Sequence, residues 1–259
     1  MRVVTHTCSN TEIVAALGCG HLIVGVDDHS DYPEALVAGV GRIGKDLDVD
    51  PDRVAALRPD LVISSLTVPG HERVIERLLT LKVPLLVLAP KSVADVARDI
   101  RMVAGVLGVA ERGEALAREL EQALAVRTPV EADAPRVLVE WWPKPVIAAC
   151  RQSWVNDLIA AAGGINPLAD RDVASAPLTD DEVVAMNPDA VVISWCGVPS
   201  SHYRPEVVLR RPAWAGVNAV ARRQVTPISE AFLGRPGPRL IEGLAALRAV
   251  VEAARAGAR

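Results

Sequence analysis

The sequence predicts an α/β protein with two lobes, each built on a mostly parallel sheet and joined by one long helix. Three observations predict this architecture. Short apolar runs alternate with helical patterns, one long helical pattern occupies the middle of the chain, and a motif of the first half recurs in the second. With 259 residues, the chain can form two lobes of about 100 to 150 residues each.

The predicted strands are short runs rich in β-branched residues and bounded by polar or turn residues. They read RVVTH, LIVGV, LVISS, LLVLA, RVLVEW, AVVIS and QVTPI. Helical patterns lie between most of them, which is typical of a parallel sheet with crossover helices. We therefore predict a Rossmann-like arrangement in each half.

A long helical stretch covers residues 92–127, between LLVLA and RVLVEW. Its apolar residues recur at helical spacing, Ser92 is predicted as the N-cap, and Pro129 follows the end. We expect one helix, bent near Gly105 and Gly108, that joins the two halves.

This stretch divides the chain into three predicted parts. They are an N-terminal α/β lobe at 1–90, a connecting helix at 91–128 and a C-terminal α/β lobe at 129–259.

The two halves share a motif. DRVAALRPDLVIS at 52–64 aligns with DEVVAMNPDAVVI at 181–193, an offset of 129 residues (181 − 52) that matches the Pro-Asp pairs before the strands. In the same way, NTEIVAALG after the first strand corresponds to VNDLIAAAG after RVLVEW. Any α/β unit reuses such parts, so chance similarity is one explanation. Two similar lobes that face each other across a cleft is the interpretation we favour.

Charge and cysteine content exclude several classes of protein. The 28 Lys and Arg against 32 Asp and Glu leave a net charge of −4, so electrostatics favour no nucleic acid partner. Four cysteines without a C-x-x-C pair are too few for a disulfide scaffold, and we expect them to be reduced or to form at most one bridge.

No segment is predicted to span a membrane. The longest apolar run, VPLLVLA, is shorter than the roughly 20 residues that a transmembrane helix needs. No apolar signal segment precedes the first strand. We therefore expect a periplasmic or cell-surface protein if a signal has been removed, and a cytoplasmic protein if this chain is the native product.

Aromatic residues are few but concentrate at the ends of predicted strands. The chain has five Trp, two Tyr and one Phe. Those at strand ends are Trp141, Trp142, Trp195, Tyr32 and Phe232. Flat side chains at this edge suit a large, partly apolar ligand held between the lobes. The alternative is that Trp141 and Trp142 fill an interface between the lobes.

The polar run TCSNTE follows the first strand and admits two interpretations. Ser9 or Asn10 fits the N-cap of a helix, with Glu12 in its first turn, and the polar run then lines the cleft. Alternatively, Cys8 and His6 share a strand face as nucleophile and base. Because neither an orienting third group nor an oxyanion site is recognisable, we predict no catalytic residues.

Two further patterns, a glycine motif and the spacing of the histidines, do not predict a binding site. GVGRIG at 39–44 matches G-x-G-x-x-G, but no strand directly precedes it, and the next helix is predicted to begin only at Pro51, after Asp50. The five histidines include no H-x-H or H-x-x-x-H pair, whereas zinc needs three or four convergent ligands. The sequence therefore predicts no nucleotide and no metal site.

Two acidic residues occupy matching places. Glu72 and Glu206 each begin a helix after the strand and loop that close the repeated unit. A favourable charge at a helix N-terminus explains either one alone. Their repetition suggests a pair of exposed acidic side chains on one face of the molecule.

Taken together, these motifs resemble the cobalamin-type substrate-binding proteins of ABC importers, the class whose lobes are joined by a rigid helix. The matching segments span nearly the whole chain. They are SNTEIVAALG, VGVDDHSDYP, GRIGKDLDVDPDRVAALRPDLVI, the long helix, WVNDLIAAAGGINPLAD, LTDDEVVAMNPDAVVIS and RPGPRLIEGL.

The resemblance implies a monomeric, non-enzymatic protein that binds cobalamin or a related corrinoid in the cleft between the lobes and delivers it to an ABC permease. Docking on the permease would use Glu72 and Glu206. The corrinoid is the transported ligand, and no cofactor is implied. The implied ligand contacts are Cys8, Ser9, Tyr32, Leu66, Trp142, Trp195 and Phe232.

Two alternatives remain open at this stage. The first is a siderophore- or haem-binding protein of the same fold, with Tyr32, His6 or His29 as axial ligand to haem iron. The second is a cytoplasmic enzyme or regulator that reuses the scaffold, with His6 and Cys8 as a reactive pair.

Overall fold

The computed structural model describes residues 1–126 and 130–257. The chain divides into two compact units. Unit 1 consists of Met1–Pro90 and Ala94–Glu119, and unit 2 consists of Lys91–Val93 and Leu120–Arg259. Within the described ranges, no helix is both long and apolar enough to cross a membrane.

Unit 1 is built on a five-stranded parallel sheet. The strands of the whole unit, including two outside this sheet, are β1 (Val3–Thr5), β2 (Ile23–Val26), β3 (Gly41–Arg42), β4 (Gly44–Lys45), β5 (Asp48–Val49), β6 (Leu61–Ser65) and β7 (Leu85–Leu88). The sheet has the order β3-β2-β1-β6-β7, and β4 pairs with β5 in a small antiparallel hairpin. The first helices are α1 (Cys8–Ala16), α2 (Glu34–Val37), α3 (Pro51–Ala56) and α4 (His71–Leu79).

The GVGRIG segment is extended in the structure. Gly41–Arg42 forms β3 and Gly44–Lys45 forms β4. Helix α3 begins at Pro51, as predicted, and Asp50 caps it by accepting hydrogen bonds from the backbone N–H groups of Asp52 and Arg53. The strand-then-helix order of a dinucleotide loop is therefore not formed here.

Unit 2 is built on a mixed sheet of the order β10-β9-β8-β11-β12. Its strands are β8 (Val137–Pro143), β9 (Val146–Ala149), β10 (Ser175–Leu178), β11 (Ala190–Ile193) and β12 (Val225–Pro227). Strands β8, β11 and β12 are parallel, whereas β9 is antiparallel to both β8 and β10. The sequence did not predict β9 and β10, because β9 reads VIAA, half of it alanine, which strands disfavour, and β10 reads SAPL, which contains a proline that cannot donate to the ladder.

The helices of unit 2 cover the sheet. They are α7 (Trp154–Ala161), α8 (Asp180–Met186), α9 (Glu206–Leu209), α10 (Asn218–Ala221), α11 (Glu230–Leu233) and α12 (Leu240–Gly257). Helix α8 begins with a capping box, in which the Thr179 hydroxyl accepts from the Glu182 N–H and the Glu182 carboxylate accepts from the Thr179 N–H.

The internal repeat has a physical basis in one shared contact. In unit 1 the backbone N–H of Arg2 donates to the Asp60 carboxylate at 2.6 Å. In unit 2 the N–H of Arg136 donates to the Asp189 carboxylate at 3.0 Å. Each Pro-Asp pair thus ties the approach to β6 or β11 to the start of the neighbouring central strand. The repeated motif therefore encodes the same strand junction in both sheets.

The long helical stretch forms two helices, not the single helix predicted. Helix α5 covers Val93–Val106 and helix α6 covers Ala110–Leu124. Gly108 adopts a left-handed φ of 72°, and the Val109 N–H returns to the Ala104 carbonyl at 2.9 Å. This pattern is a Schellman ending, which terminates α5 instead of bending it. Residues 127 and 128 and Pro129, predicted to end the stretch, lie outside the described residues.

Helix α5 buries a carboxyl group. Asp99 is 3% exposed, and its Oδ1 lies 3.8 Å from the Arg98 guanidinium. Burial raises the pKa of Asp99 from 3.8 to about 6; Arg98 opposes the rise and Asp95 adds to it. Ionised Asp99 therefore destabilises the folded state at neutral pH.

Replacing Asp99 by asparagine is expected to raise the free energy of unfolding at pH 8 by about 1–3 kcal/mol, since each unit of pKa is worth about 1.4 kcal/mol. Between pH 3.8 and 6 the unfolded chain loses its proton first, so the wild type loses stability as the pH rises through this window. The gain should therefore shrink towards pH 4.5. Urea unfolding at pH 8, 6 and 4.5 measures it, with exposed Asp170→Asn as control. A gain that is equal at every pH would contradict the assignment.

Candidate functional site

In both units, polar residues follow the carboxyl ends of the parallel strands. Open α/β sheets bind their ligands at this edge. In unit 1 the relevant loops follow β1, β2 and β6. In unit 2 they follow β8 and β11.

The polar run after β1 lies inside unit 1. Helix α1 begins at Cys8, and Thr7 precedes it with a left-handed φ of 79° and no side-chain cap. The prediction of Ser9 or Asn10 as N-cap is therefore wrong, since both lie within the helix and are buried. Glu12 lies beyond the first turn and is also buried.

These buried hydroxyl and amide groups form a hydrogen-bond network. The Thr11 hydroxyl bonds those of Thr5 at 2.7 Å and Ser30 at 3.0 Å. The Asn10 amide donates to the Ser65 hydroxyl at 3.0 Å. Because these residues follow or belong to β1, β2 and β6, the network joins the carboxyl ends of three adjacent strands. We call it the hydroxyl network.

Cys8 and His6 do not form a pair. The Cys8 thiol donates to the His29 carbonyl at 3.1 Å, whereas His6 Nδ1 lies 2.8 Å from the Ser64 hydroxyl. The shared strand face predicted for them does not exist, because β1 ends at Thr5 and Cys8 already belongs to α1. His6 is thus not placed as a base for the thiol.

His6 instead belongs to a buried cluster with His71 and Asp46. His71 Nε2 lies 3.0 Å from Asp46 Oδ1, and His6 Nε2 lies 3.2 Å from the same oxygen. The imidazole rings meet edge to face with centroids 4.9 Å apart. Burial raises the pKa of Asp46, but the hydrogen bonds from His6 and His71 outweigh it and hold that pKa well below its usual range. Asp46 is therefore ionised.

Tyr32 stands on a braced loop after β2. The Arg42 guanidinium donates to the carbonyls of Asp27 at 2.9 Å and Ser30 at 2.8 Å, while the Asp27 carboxylate accepts from the Ser30 hydroxyl at 2.7 Å. Tyr32 itself is 47% exposed. The loop thus holds an aromatic ring in solvent at the strand-end edge.

Leu66 and Glu72 follow β6. Leu66 directly follows the strand and is exposed. Glu72 lies in the first turn of α4, where its carboxylate accepts from the Gly70 N–H at 2.9 Å. The backbone N–H groups of Glu72 and Gly70 lower the pKa of this carboxyl group. Glu72 is therefore an exposed, stably charged group.

In unit 2, the two tryptophans predicted as ligand contacts have different environments. Trp142 lies on β8, is 42% exposed, and its indole N–H donates to the Lys144 carbonyl at 3.1 Å. Trp195 is only 6% exposed and belongs to the core, where its ring meets Tyr203 edge to face at 5.6 Å. Trp195 is therefore a core residue, whereas Trp142 is exposed at the strand end.

Trp195 is held by a buried ion pair. Glu140 on β8 accepts from the Trp195 indole at 3.0 Å and from both terminal nitrogens of Arg211, at 2.7 and 3.0 Å. Arg211 stacks 4.2 Å from the centre of the Trp214 ring. A bidentate pair of this kind orients its partners strongly.

Glu206 and Phe232 complete the predicted residues. Glu206 is exposed at the start of α9, and Phe232 is half-buried with the Arg239 guanidinium 4.8 Å from its ring. Glu206 borders a cavity of about 670 Å³. The other residues lining it are Lys144, Arg204, Val207, Arg210, Arg211 and Pro212. This groove is basic apart from Glu206.

The comparison with known families decides the class of protein. The sequence profile of a periplasmic binding protein family matches residues 3–231. The chain belongs to the periplasmic binding protein family. Members of this family are non-enzymatic, substrate-binding components of transport systems.

Relatives of this periplasmic binding protein cover most of its length. The ABC transporter substrate-binding lipoprotein YvrC of Bacillus subtilis is 27% identical over 94% of this chain and 77% of its own. A vitamin B12-binding protein of Vibrio cholerae is 24% identical over 94% and 86%. The apo structure of the periplasmic heme-binding protein RhuT from Roseiflexus sp. RS-1 is 30% identical, covers 100% and 99%, and has a TM-score of 0.81.

Sequence reasoning missed three features of this periplasmic binding protein: the hydroxyl network, the His6–Asp46–His71 cluster and the Glu140–Arg211 pair. The cluster partners are 25 and 40 residues apart, and Glu140 and Arg211 are separated by 71 residues. One signal was available for the ion pair, since a charged residue inside the apolar run RVLVEW requires a partner if the strand is buried.

Replacing Glu140 by glutamine is expected to lower the free energy of unfolding by about 3 kcal/mol, because it leaves Arg211 without its buried counter-charge. Urea unfolding followed by tryptophan fluorescence measures the loss. Exposed Arg210→Gln is the matched control and should change stability by about 0.5 kcal/mol or less. The double variant Glu140→Met with Arg211→Met should recover part of the loss, since no charge is then left unpaired. Equal losses in Glu140→Gln and Arg210→Gln would contradict the ion-pair argument.

Proposed function

We propose that this protein is the substrate-binding component of an ABC importer and that its ligand is cobalamin or a related corrinoid. The observation that carries the choice of a large, flat ligand is Tyr32, an exposed ring on a hydrogen-bonded loop at the strand-end edge of unit 1. A vitamin B12-binding relative that aligns with nearly the whole chain supports the choice of a corrinoid among such ligands.

The surroundings of Tyr32 suit the periphery of a corrin. Cobalamin presents amide side chains around a large flat ring system, so a binding surface needs aromatic planes and neutral hydrogen-bonding groups. Cys8 and Leu66 follow the same edge, since Cys8 comes after β1, the neighbour of β2, and Leu66 comes after β6 on the other side of β1. Ser9 is buried in the hydroxyl network and supports this surface from below.

Unit 2 offers a second aromatic plane. Trp142 is exposed, yet its indole N–H is bound to the Lys144 carbonyl, so little side-chain entropy remains to be lost when a ligand packs on the ring. Phe232 is half-buried under Arg239. We assign Trp142 and Phe232 as ligand contacts and Trp195 as the core residue that, with Glu140, orients β8.

Replacing Tyr32 by alanine is expected to weaken cyanocobalamin binding by about tenfold or more, because removal of an aromatic contact costs about 1.4 kcal/mol or more. Tyr32→Phe keeps the ring and should stay within about threefold of the wild type. Isothermal titration calorimetry and the visible corrin spectrum measure both. Leu79→Ala, which removes another exposed apolar side chain at the end of α4, is the control. No binding by the wild type at high micromolar cyanocobalamin would refute the proposed ligand.

Haem is the second candidate, favoured by the likeness to the heme-binding RhuT structure. Haem iron needs an axial side chain. His6 is unsuitable, since it is fully buried and a group as large as haem cannot reach it, which leaves Tyr32 and His29. The same Tyr32→Phe variant separates the two ligands. It would abolish phenolate coordination and shift the Soret band of bound haem, whereas corrinoid binding would be almost unchanged.

The permease contact is part of the same proposal. Glu72 and Glu206 lie in the first turns of helices at topologically equivalent places, after β6 and after β11. Their surroundings differ, because Glu206 shares its groove with Lys144, Arg204 and Arg210. Those cations offset its charge, so we assign Glu72 the larger contribution to docking on a basic permease surface.

Replacing Glu72 by arginine is expected to lower the stimulation of permease ATPase activity by tenfold or more while ligand affinity stays within about twofold, because a repulsive charge then faces the basic docking surface. The cognate permease in nanodiscs provides the assay. Glu76→Arg, an exposed reversal on the same helix, is the matched control. Equal losses in the two variants would show that net charge matters and the position of Glu72 does not.

A further inference from the structure

The His6–Asp46–His71 cluster brings three metal-ligating side chains together from three separate elements. His6 follows β1, Asp46 lies in the turn between β4 and β5, and His71 is the first residue of α4. Both imidazoles are fully buried, whereas the Asp46 side chain keeps 26% of its surface exposed. The cluster is therefore a pocket of nitrogen and oxygen donors with one side open to solvent.

The distances match those between ligands of one small cation. His71 Nε2 and His6 Nε2 lie 3.0 and 3.2 Å from Asp46 Oδ1, and the three donor atoms all lie within 4.8 Å of one another. Ligands at about 2.0–2.1 Å from a metal are separated by roughly 2.8–3.0 Å in octahedral geometry and by roughly 3.3–3.4 Å in tetrahedral geometry. The Asp46 carbonyl oxygen, 2.7 Å from His6 Nε2, is a fourth donor at the same point.

The outer hydrogen bonds allow metal ligation through Nε2. A neutral histidine that binds metal by Nε2 carries its proton on Nδ1 and needs an acceptor there. His6 has one, because the Ser64 hydroxyl lies 2.8 Å from Nδ1. In His71 the Nδ1 atom now accepts a weak hydrogen bond from the Val68 N–H at 3.4 Å. A proton on Nδ1 would break that hydrogen bond, so metal ligation through Nε2 costs this one contact.

We propose that His6, Asp46 and His71 bind a divalent first-row transition metal ion, of which Zn²⁺ and Co²⁺ are suitable probes. Two imidazoles and a carboxylate form a donor set that such ions accept, with the remaining positions filled by the Asp46 carbonyl or by water through the open side. The bound ion would fasten the β4–β5 hairpin and the start of α4 to the end of β1. It would thereby fix the helix end that carries Glu72.

The test uses the full-length protein after treatment with a chelator. Zn²⁺ titration by calorimetry should show one equivalent bound with micromolar or tighter affinity, and Co²⁺ should give visible absorption bands of a nitrogen- and oxygen-ligated ion. Asp46→Asn and His71→Gln should each weaken Zn²⁺ binding by about 100-fold or more. His202→Ala, which removes an exposed histidine outside the cluster, should bind as the wild type does.

Several outcomes would overturn the proposal. They are no binding by the wild type, unchanged binding by both cluster variants, and loss of binding in His202→Ala. X-ray absorption of the Zn²⁺-loaded wild type tests the ligands without any variant, so misfolding of Asp46→Asn or His71→Gln would leave the question answerable. Nitrogen and oxygen neighbours at about 2.0–2.1 Å support the site, and sulfur at about 2.3 Å would assign the ion to a cysteine and refute it.

Discussion

The buried polar junction at the strand ends of unit 1 is the constraint on which its functional edge depends. Three parallel strands end side by side, and the chain leaves each of them through residues that carry hydroxyl, amide or imidazole groups. Buried polar groups of this kind cost about 1–3 kcal/mol each if unpaired. In unit 1 the hydroxyl groups, the Asn10 amide N–H and the imidazoles pair with one another, through the hydroxyl network on one side and the cluster around Asp46 on the other, whereas Asn10 Oδ1 has no hydrogen-bond partner among the described residues. The positions of the loops after β1, β2 and β6 are thereby coupled.

In unit 2, a buried ion pair takes the place of the hydroxyl network. Glu140 sits within β8 and is fully buried, so its ionised form requires both nitrogens of Arg211 and the indole of Trp195. Paired charges depend strongly on geometry, because either partner alone would be a buried, uncompensated ion. A network of neutral hydroxyls tolerates small shifts, since each group can rotate to another acceptor. The two repeated sheets therefore stabilise equivalent edges by different physical means.

The sequence predicted what depends on local pattern. All seven predicted strands are present, α3 begins at Pro51, and the repeated Pro-Asp pairs mark equivalent strand junctions, because period, caps and turn residues act within a few positions. The family resemblance is confirmed by the match over residues 3–231. The errors have two causes. A Schellman ending at Gly108 looked like a bend, and the polar run at 7–11 looked like a cap because no local pattern reveals that it is buried.

The difference between Trp142 and Trp195 shows why site residues are harder to predict than strands. Both follow or end an apolar run, so their sequence contexts are almost the same. What separates them is tertiary contact: Glu140, 55 residues away along the chain, and Tyr203 hold the Trp195 ring in the core, whereas the Trp142 indole donates to the nearby Lys144 carbonyl and the ring stays exposed. Exposure at a strand end is thus decided by tertiary contacts. A residue there contributes to binding either through its own surface or by orienting a neighbour, and only the fold distinguishes the two roles.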